Sequence, residues 1–451
     1  MSRCVGIAVG GDSVGAVVAG ADRAVAPCDQ VSVPAVLVLA PGMDALVGAQ
    51  AERFAGSGGA VFRDFTGRVG DPVPVVGSDG SARLGADLVA MTIGGVLRRC
   101  AARSDLAHLA IAHPSDWGPY EVSVLRSALT CTEAEGLPTS LVSSPVATVT
   151  AAVAAGVMRF SETVIVADIG RHGTQAALVT GAENQAARLE ATSRTDDLSS
   201  AGLDQALARH VLEQVRSRLP APDLHDQANR AIVRDVVAAC RVGREDLVRH
   251  TSTVIDVSLP SHKIPVRVVR AEFESLAREP IRGGLSAIAH LMDQARENGI
   301  KVDAILLTGE VARTPLLSEL LSAQSASRVV IPPFPEWAAA SGAAHIAARR
   351  PQPRLIAPLS PARPNLPPSQ PRRSPVDQPT PPRRSPKTPS AASQAIPAVP
   401  HVRSTGKERK WTLRWGALQV TAALISNSQP QPSGLQDYGL SRRHGAVPRH
   451  G

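Results

Sequence analysis

The chain has 451 residues, 48 Lys plus Arg against 40 Asp plus Glu, and a formal net charge of +8. Hydrophobic residues at 43% and charged residues at 20% fit a soluble globular body with ample length for two cores. The positive charge suggests a nucleic-acid binder until it is located: residues 351–400 hold seven basic residues and one acid, residues 401–451 eight and two, so the first 350 residues net −4, and an aromatic content of 3% leaves few platforms for stacking bases.

Five cysteines (Cys4, Cys28, Cys100, Cys131, Cys240) are widely spaced, with no CxxC, which suggests reduced thiols in a cytoplasmic setting and neither a disulfide framework nor a zinc site. Arg3 followed by the run Val5 to Gly20 has the outline of a signal peptide, but Asp12 and the glycines within it argue otherwise. No stretch reaches the ~18 apolar residues of a membrane span.

In chain order, strand-like runs fall at Val5 to Val9, Val14 to Ala19, Val36 to Leu39, Leu109 to Ala112, Val164 to Ala167, Ala176 to Thr180, Val254 to Val257, Val266 to Val269 and Ala304 to Thr308. Helix-like runs fall at Gly85 to Ala102, Pro119 to Thr132, Pro145 to Val157, Leu203 to Leu219, His225 to Val242, Arg270 to Glu297 and Pro315 to Leu321. The alternation predicts an α/β architecture. Residues 351–400 contain sixteen prolines, with Arg372-Arg373 and Arg383-Arg384, a composition that predicts a disordered linker. Beyond it, Lys407 to Arg414 is a basic cluster beside Trp411 and Trp415, read either as a membrane-surface or partner anchor or as a solvated terminus.

Val5 to Val18 is strand, glycine-rich turn, strand, and Val164 to Val179 repeats that plan about 160 residues later, which suggests two related halves. The turns carry Gly10-Gly11 and Gly170 to Gly173, where bare backbone N–H groups can form an anion nest, although each taken singly is more often an ordinary hairpin turn. A third turn, Thr308-Gly-Glu-Val-Ala-Arg-Thr-Pro315, follows a buried strand and opens a helix at Pro315. There Gly309 lets a nucleotide pass the backbone, and the planar guanidinium of Arg313 can stack on a purine.

In collinear order over about residues 4–348, these motifs resemble the nucleotide-binding domain of the seventy-kilodalton heat-shock (DnaK-type) chaperone family within the actin and sugar-kinase superfamily. The matching segments are Phe62 to Arg68, Leu109 to Pro114, Ser144 to Thr148, Asp168 to Thr174, Ala201-Gly-Leu-Asp204, Arg241 to Leu247, Val269 to Glu274, Thr308 to Pro315 and Glu336 to Ala344. The resemblance implies an actin-like (ribonuclease H-like) ATPase fold, with lobe I over residues 1–160 and lobe II over 161–350 around a nucleotide cleft. A Pro/Arg-rich linker over 351–405 and a basic tail over 406–451 follow. It further implies ATP or ADP with Mg²⁺ as ligands. Asp168 would be catalytic and the metal ligand, Arg63 the second catalytic position, and Gly10, Gly11, Gly170, Gly173, Thr174, Gly202, Arg244, Gly309 and Arg313 the nucleotide contacts.

Several positions depart from the family pattern. Ala8 stands where the first loop has Asp, Arg63 where the catalytic Lys is expected, Ser144 in place of Glu, and Gln175 or Ala176 in place of the acid closing the second loop. The second loop is one residue longer, and Glu310 replaces the second glycine of the adenosine turn. Phosphoryl transfer depends on water and charge being placed around the γ-phosphate, so these losses predict weak or absent hydrolysis with binding better retained. The family's substrate-binding domain has no counterpart after Arg350. Two functions follow: a chaperone-related ATP-binding protein with nucleotide-dependent lobe closure, or a non-hydrolysing scaffold tethered to a membrane or protein partner by its tail. Asp196-Asp197 reads as a surface loop or a metal site, His172 as a phosphate contact or a solvent-facing turn residue. His113 with Ser115 lacks the G-x-S-x-G elbow of a hydrolase.

Overall fold

The computed structural model describes residues 3–19, 25–55, 58–100, 106–181, 187–218, 227–259 and 262–349, with backbone only for 25–29, 218, 227 and 228. The expectations for the linker and tail lie outside the described residues.

The first half contains β1 (Arg3–Val9), β2 (Ser13–Ala19), β3 (Val25–Pro34), β4 (Val36–Leu39), β5 (Leu46–Val47), α1 (Ala49–Phe54), β6 (Ala60–Arg63), β7 (Val75–Val76), β8 (Ala82–Arg83), α2 (Gly85–Cys100), β9 (Leu106–His113), α3 (Pro119–Leu129), β10 (Thr139–Ser143) and α4 (Ser144–Ala154). The second half contains β11 (Val164–Ile169), β12 (Thr174–Thr180), β13 (Arg188–Thr195), α5 (Ser200–Gln214), α6 (Gln227–Arg249), β14 (Ser252–Ser258), β15 (Lys263–Val269), α7 (Arg270–Glu297), β16 (Ala304–Gly309), α8 (Pro315–Gln324), β17 (Arg328–Val330) and α9 (Ala338–Arg349).

The internal echo becomes two sheets of one topology. In order, β3-β2-β1-β9-β10 and β13-β12-β11-β16-β17 each consist of an antiparallel meander followed by two parallel neighbours. Two like α/β sheets are the core of the actin-like ATPase fold.

Alternation along the strands decides what covers each face. Val5, Ile7 and Val9 of β1, with Leu109 and Ile111 of β9, pack against Leu88, Ile93 and Val96 of α2. On the other face the side chains are small: Cys4, Ala110 and Ala112 meet Ala340, Ala343, Ala344 and Ala347 of α9. A Cβ on Gly6 would lie 2.7 Å from Ala344 Cα, so β1 is glycine there because a helix backbone rests on it. In the second sheet Ile165, Ala167 and Ile169 face α5, α7 and α8, while Val164 and Val166 face Val149 and Ala152 of α4. Helices α4 and α9 pack on each other, with Gly342 against Ala147, and so join the two sheets back to back. Helix α9, at the end of the segment assigned to lobe II, thus lies on the lobe I sheet.

The expected strands and helices all occur, with shifted ends. Helix α4 stops at Ala154 because Gly156 takes φ 74°. Helix α6 runs on to Arg249 rather than Val242, since Arg244 and Leu247 are buried and extend its inner face. Helix α5 starts at Ser200, three residues before the expected Leu203, because Ser199 caps it.

Candidate functional site

Three turns leave the two sheets at the ends of β1, β11 and β16. In the first, Gly10 N–H donates to Ser13 O at 2.8 Å, the carbonyl of Asp12 accepts from Ala35 N–H at 2.7 Å, and the Thr66 hydroxyl donates to Gly11 O. The last contact brings the segment after β6 beside this loop. Arg63, at the end of β6, is exposed and forms no ion pair among the described residues; the next residue, Asp64, holds φ 54°.

In the second turn Gly170 N–H donates to Gly173 O at 3.0 Å, and the turn is stitched to the start of α5 by Ser200 N–H to Gly170 O (2.9 Å) and Ala201 N–H to Arg171 O (3.2 Å). Two expected contacts are committed elsewhere. Thr174 is buried and its hydroxyl donates to Leu198 O at 2.9 Å; Gly202 N–H donates to the capping Ser199 Oγ at 3.1 Å. The bareness of Gly173 has a packing cause, since a Cβ there would meet Asp196 Oδ1 at 2.8 Å.

The two turns meet across the sheets. Arg171 Nε lies 3.0 Å from Asp12 Oδ2, and a Cβ on Gly11 would come within 3.4 Å of the His172 ring. The Arg171–Asp12 pair was not expected, although opposite charges at matching places of two echoing hairpins were visible in the sequence. No backbone acceptor among the described residues takes the N–H groups of Gly11, Asp12, Arg171 or His172. Four uncommitted donors on two facing turns, with an arginine between them, fit the oxygens of a phosphate chain.

The third turn adds Gly309 (φ 87°), where a Cβ would lie 2.6 Å from Asp168 Oδ1. Glycine is thus required for β11 and β16 to run side by side, and Asp168 sits at their shared end, opposite Thr308 in register. Solvent reaches Asp168, yet protein surrounds the cleft around it; this desolvation raises its carboxyl above the usual range, opposed by the Thr308 hydroxyl at 3.4 Å and reinforced by the charge of Glu310. The guanidinium of Arg313 is fixed by Glu336 Oε2 at 3.0 Å and Pro333 O at 2.6 Å.

Glu310 does not stand free in the cleft. It accepts from Ser200 Oγ and from Arg241 Nη2, both at 2.8 Å, and lies 3.8 Å from Arg244 Nη2. Arg244 is fully buried, with Nε 2.6 Å from the equally buried Asp204. Burial pushes the Asp204 carboxyl up, and the guanidinium opposes it.

The donor set fits a nucleotide better than a metal. Asp168 is the one retained carboxylate of the expected shell, Asp12 is paired with Arg171, and no group of three or more His, Cys, Asp or Glu able to hold an ion occurs among the described residues. Asp196 pairs with Arg194 and Asp197 with Thr195 on an exposed loop, which favours the surface-loop reading. His113 stacks on Trp117 with ring centroids 5.8 Å apart and bonds Pro114 O at 2.8 Å. Cys4, Cys131 and Cys240 are free thiols. No helix among the described residues is long and apolar enough to cross a membrane.

The family model for Hsp70 protein matches residues 141–349. Heat shock 70-related protein 5 of Dictyostelium discoideum is 23% identical over 162 residues, which is 35% of this chain and 30% of that protein's length. The chain therefore aligns with less than a third of that relative.

Proposed function

We propose that the chain is a chaperone-related ATP-binding protein of the Hsp70 family whose two lobes close on ATP or ADP, with hydrolysis slow or absent, a reading supported by the match of residues 141–349 to the family model for Hsp70 protein. The observation that carries this is the meeting of the two glycine turns, joined by Arg171 and Asp12 and presenting uncommitted N–H groups. The phosphates would lie on the turns holding Gly10, Gly11 and Gly170, with Arg171 and the exposed Arg63 supplying charge. The nucleoside would lie toward the third turn, between Arg313 and the α6 arginines. Mg²⁺, entering with the nucleotide, would have Asp168 as its carboxylate and otherwise keep its waters.

Hydrolysis requires attacking water to be oriented and charge on the γ-phosphate to be offset. Here Ala8 and Ser144 offer no carboxylate, and Arg63 cannot act as a proton donor near neutral pH. These same positions favour the second reading, a non-hydrolysing scaffold tethered through its proline-rich tail to a membrane or protein partner. Calorimetric titration of the full chain with ATP and ADP, alongside a phosphate-release assay of wild type and Asp168→Ala, decides between them. Binding with turnover abolished by Asp168→Ala supports a slow ATPase; binding without turnover supports the scaffold; no binding at millimolar nucleotide overturns both.

A further inference from the structure

We propose that Glu310 is an internal occupant of the nucleoside end of the cleft, a carboxylate latch that a ligand must displace to bind. The inference rests on the nucleotide-binding reading and specifies what its site does when no ligand is present.

The residue after Gly309 is placed at the point where three elements converge: α5 with Ser200 and Asp204, α6 with Arg241 and Arg244, and the turn leaving β16. Its two carboxylate oxygens are used differently. Oε1 accepts from Arg241 at 2.8 Å; Oε2 accepts from Ser200 at 2.8 Å and faces Arg244 Nη2 at 3.8 Å. Its backbone carbonyl lies 3.4 Å from Arg244 Nη1. The same residue therefore ties the turn to α6 through both backbone and side chain.

Arg244 fixes which of these ties is structural. Its charge is already balanced by Asp204 at 2.6 Å, and both groups are essentially inaccessible to solvent. Its Nη2 nevertheless has no hydrogen-bond partner within reach, the 3.8 Å to Glu310 being too long. A buried guanidinium N–H left unmade, beside a carboxylate that is 27% exposed, marks a place where a further acceptor would be taken up if Glu310 withdrew. Arg241, 43% exposed, is the cation that Glu310 holds on the cleft side. With a glycine at 310, Arg241 would keep only the longer contact to Glu245 at 3.7 Å, and Ser200 Oγ and Arg244 Nη2 would have no internal acceptor on that side. With glutamate, the chain satisfies Ser200 and Arg241 itself, and a ligand seeking these donors competes with an acceptor already in place.

Hydrogen bonds to charged groups are worth about ten- to a hundredfold in an equilibrium, so removing the latch should tighten binding by about tenfold or more. Adenosine is the informative probe because it is uncharged: relief of repulsion between Glu310 and phosphates cannot affect it, and salt can reach its affinity only through the latch. The full chain and Glu310→Ala are titrated with adenosine and with ADP at low and high NaCl. The expected result is about tenfold or more tighter adenosine binding by Glu310→Ala, together with a wild-type adenosine affinity that rises with salt while that of the variant stays flat. Equal adenosine affinities, or a gain confined to ADP, overturn the latch. Hydrogen exchange of the free proteins covers the case in which neither binds either ligand, where the nucleotide reading fails by itself. Faster exchange over residues 241–249 of α6 in Glu310→Ala then upholds the latch as a tie between α6 and the third turn, and unchanged exchange overturns it.

Discussion

Gly6→Ala is a one-methyl test of how the two sheets are joined. The added Cβ would lie 2.7 Å from Ala344 Cα and nearer still to Ala344 N and Ala340 O, all backbone atoms of α9. Ordinary carbon contacts lie at about 3.5–4.0 Å, so α9 would have to retreat by about 1 Å. No rotamer change can relieve the clash, because the obstacle is main chain on one side and a central strand on the other. The retreat thins contacts across a cluster that includes Cys4, Val17, Ala19, Ala110, Ala112 and Ala147, and gaps of this size forfeit a quarter to a half of each contact's attraction. The expected loss is at the upper end of overpacking costs, about 3 kcal/mol. Urea unfolding followed by tryptophan fluorescence reads it, since Trp337 lies against Gly15 of β2 at the start of this helix. Gly67→Ala is the control: nothing lies within 4 Å of its Cβ position, and its stability should stay within about 0.5 kcal/mol of wild type. A Gly6→Ala protein as stable as that control would refute the packing of α9 on β1 and with it the joining of the sheets through α4 and α9.

Two further outcomes concern buried charge. Arg244→Met leaves Asp204 buried without its counter-ion and should cost about 3–5 kcal/mol in thermal or urea unfolding, while the double variant Asp204→Asn/Arg244→Met should lose less than the sum of the single changes. Burial holds the His113 imidazole below its ordinary pKa, opposed by its bond to Pro114 and the charge of Asp116. The native state thus stays neutral where the unfolded chain takes up a proton, so this contribution to stability is present above about pH 6.5 and is lost as pH falls below it, by up to about 1.4 kcal/mol per pH unit. His113→Phe keeps a ring against Trp117 and should flatten that part of the stability profile between pH 7 and 5; an unchanged slope would remove His113 as its source.

The strands at Val5 to Val9 and Val164 to Ala167 were legible because both faces of each are buried, which writes a continuous apolar run. Strand β13 was not: it is an edge strand of the second sheet, its sequence Arg-Leu-Glu-Ala-Thr-Ser-Arg-Thr is polar, and its pairing with β12 supplies what its side chains do not. Asp168 could be located from its strand and turn alone. Its neighbours could not, because Glu310 reaches Ser200 across 110 residues and Arg241 across 69, distances over which sequence carries no local pattern. Gly173 and Gly309 suggest ligand approach from sequence, and the structure adds a second cause for each, since the missing Cβ makes room for the protein's own atoms, which only long-range packing reveals.

Three of the cleft's cations are answered from within: Arg171 by Asp12, Arg241 by Glu310, and Arg244 by Asp204. These three pairs differ in what a ligand can do to them. Asp204 and Arg244 are sealed, so their exchange for ligand contacts would strand a buried charge. Asp12 and Arg171 are each about one third exposed, and a phosphate replacing Asp12 would exchange one screened ion pair for another at little net gain. At the Glu310 pair, half open to the cleft and bordered by an unmet buried N–H, a ligand acceptor would gain a bond that the free protein does not make. On the nucleotide-binding reading a ligand would therefore gain bonds that the free protein lacks at the unmet N–H groups of the two glycine turns and at the opened Glu310 pair, while the Asp12–Arg171 and Asp204–Arg244 pairs serve the fold more than the ligand.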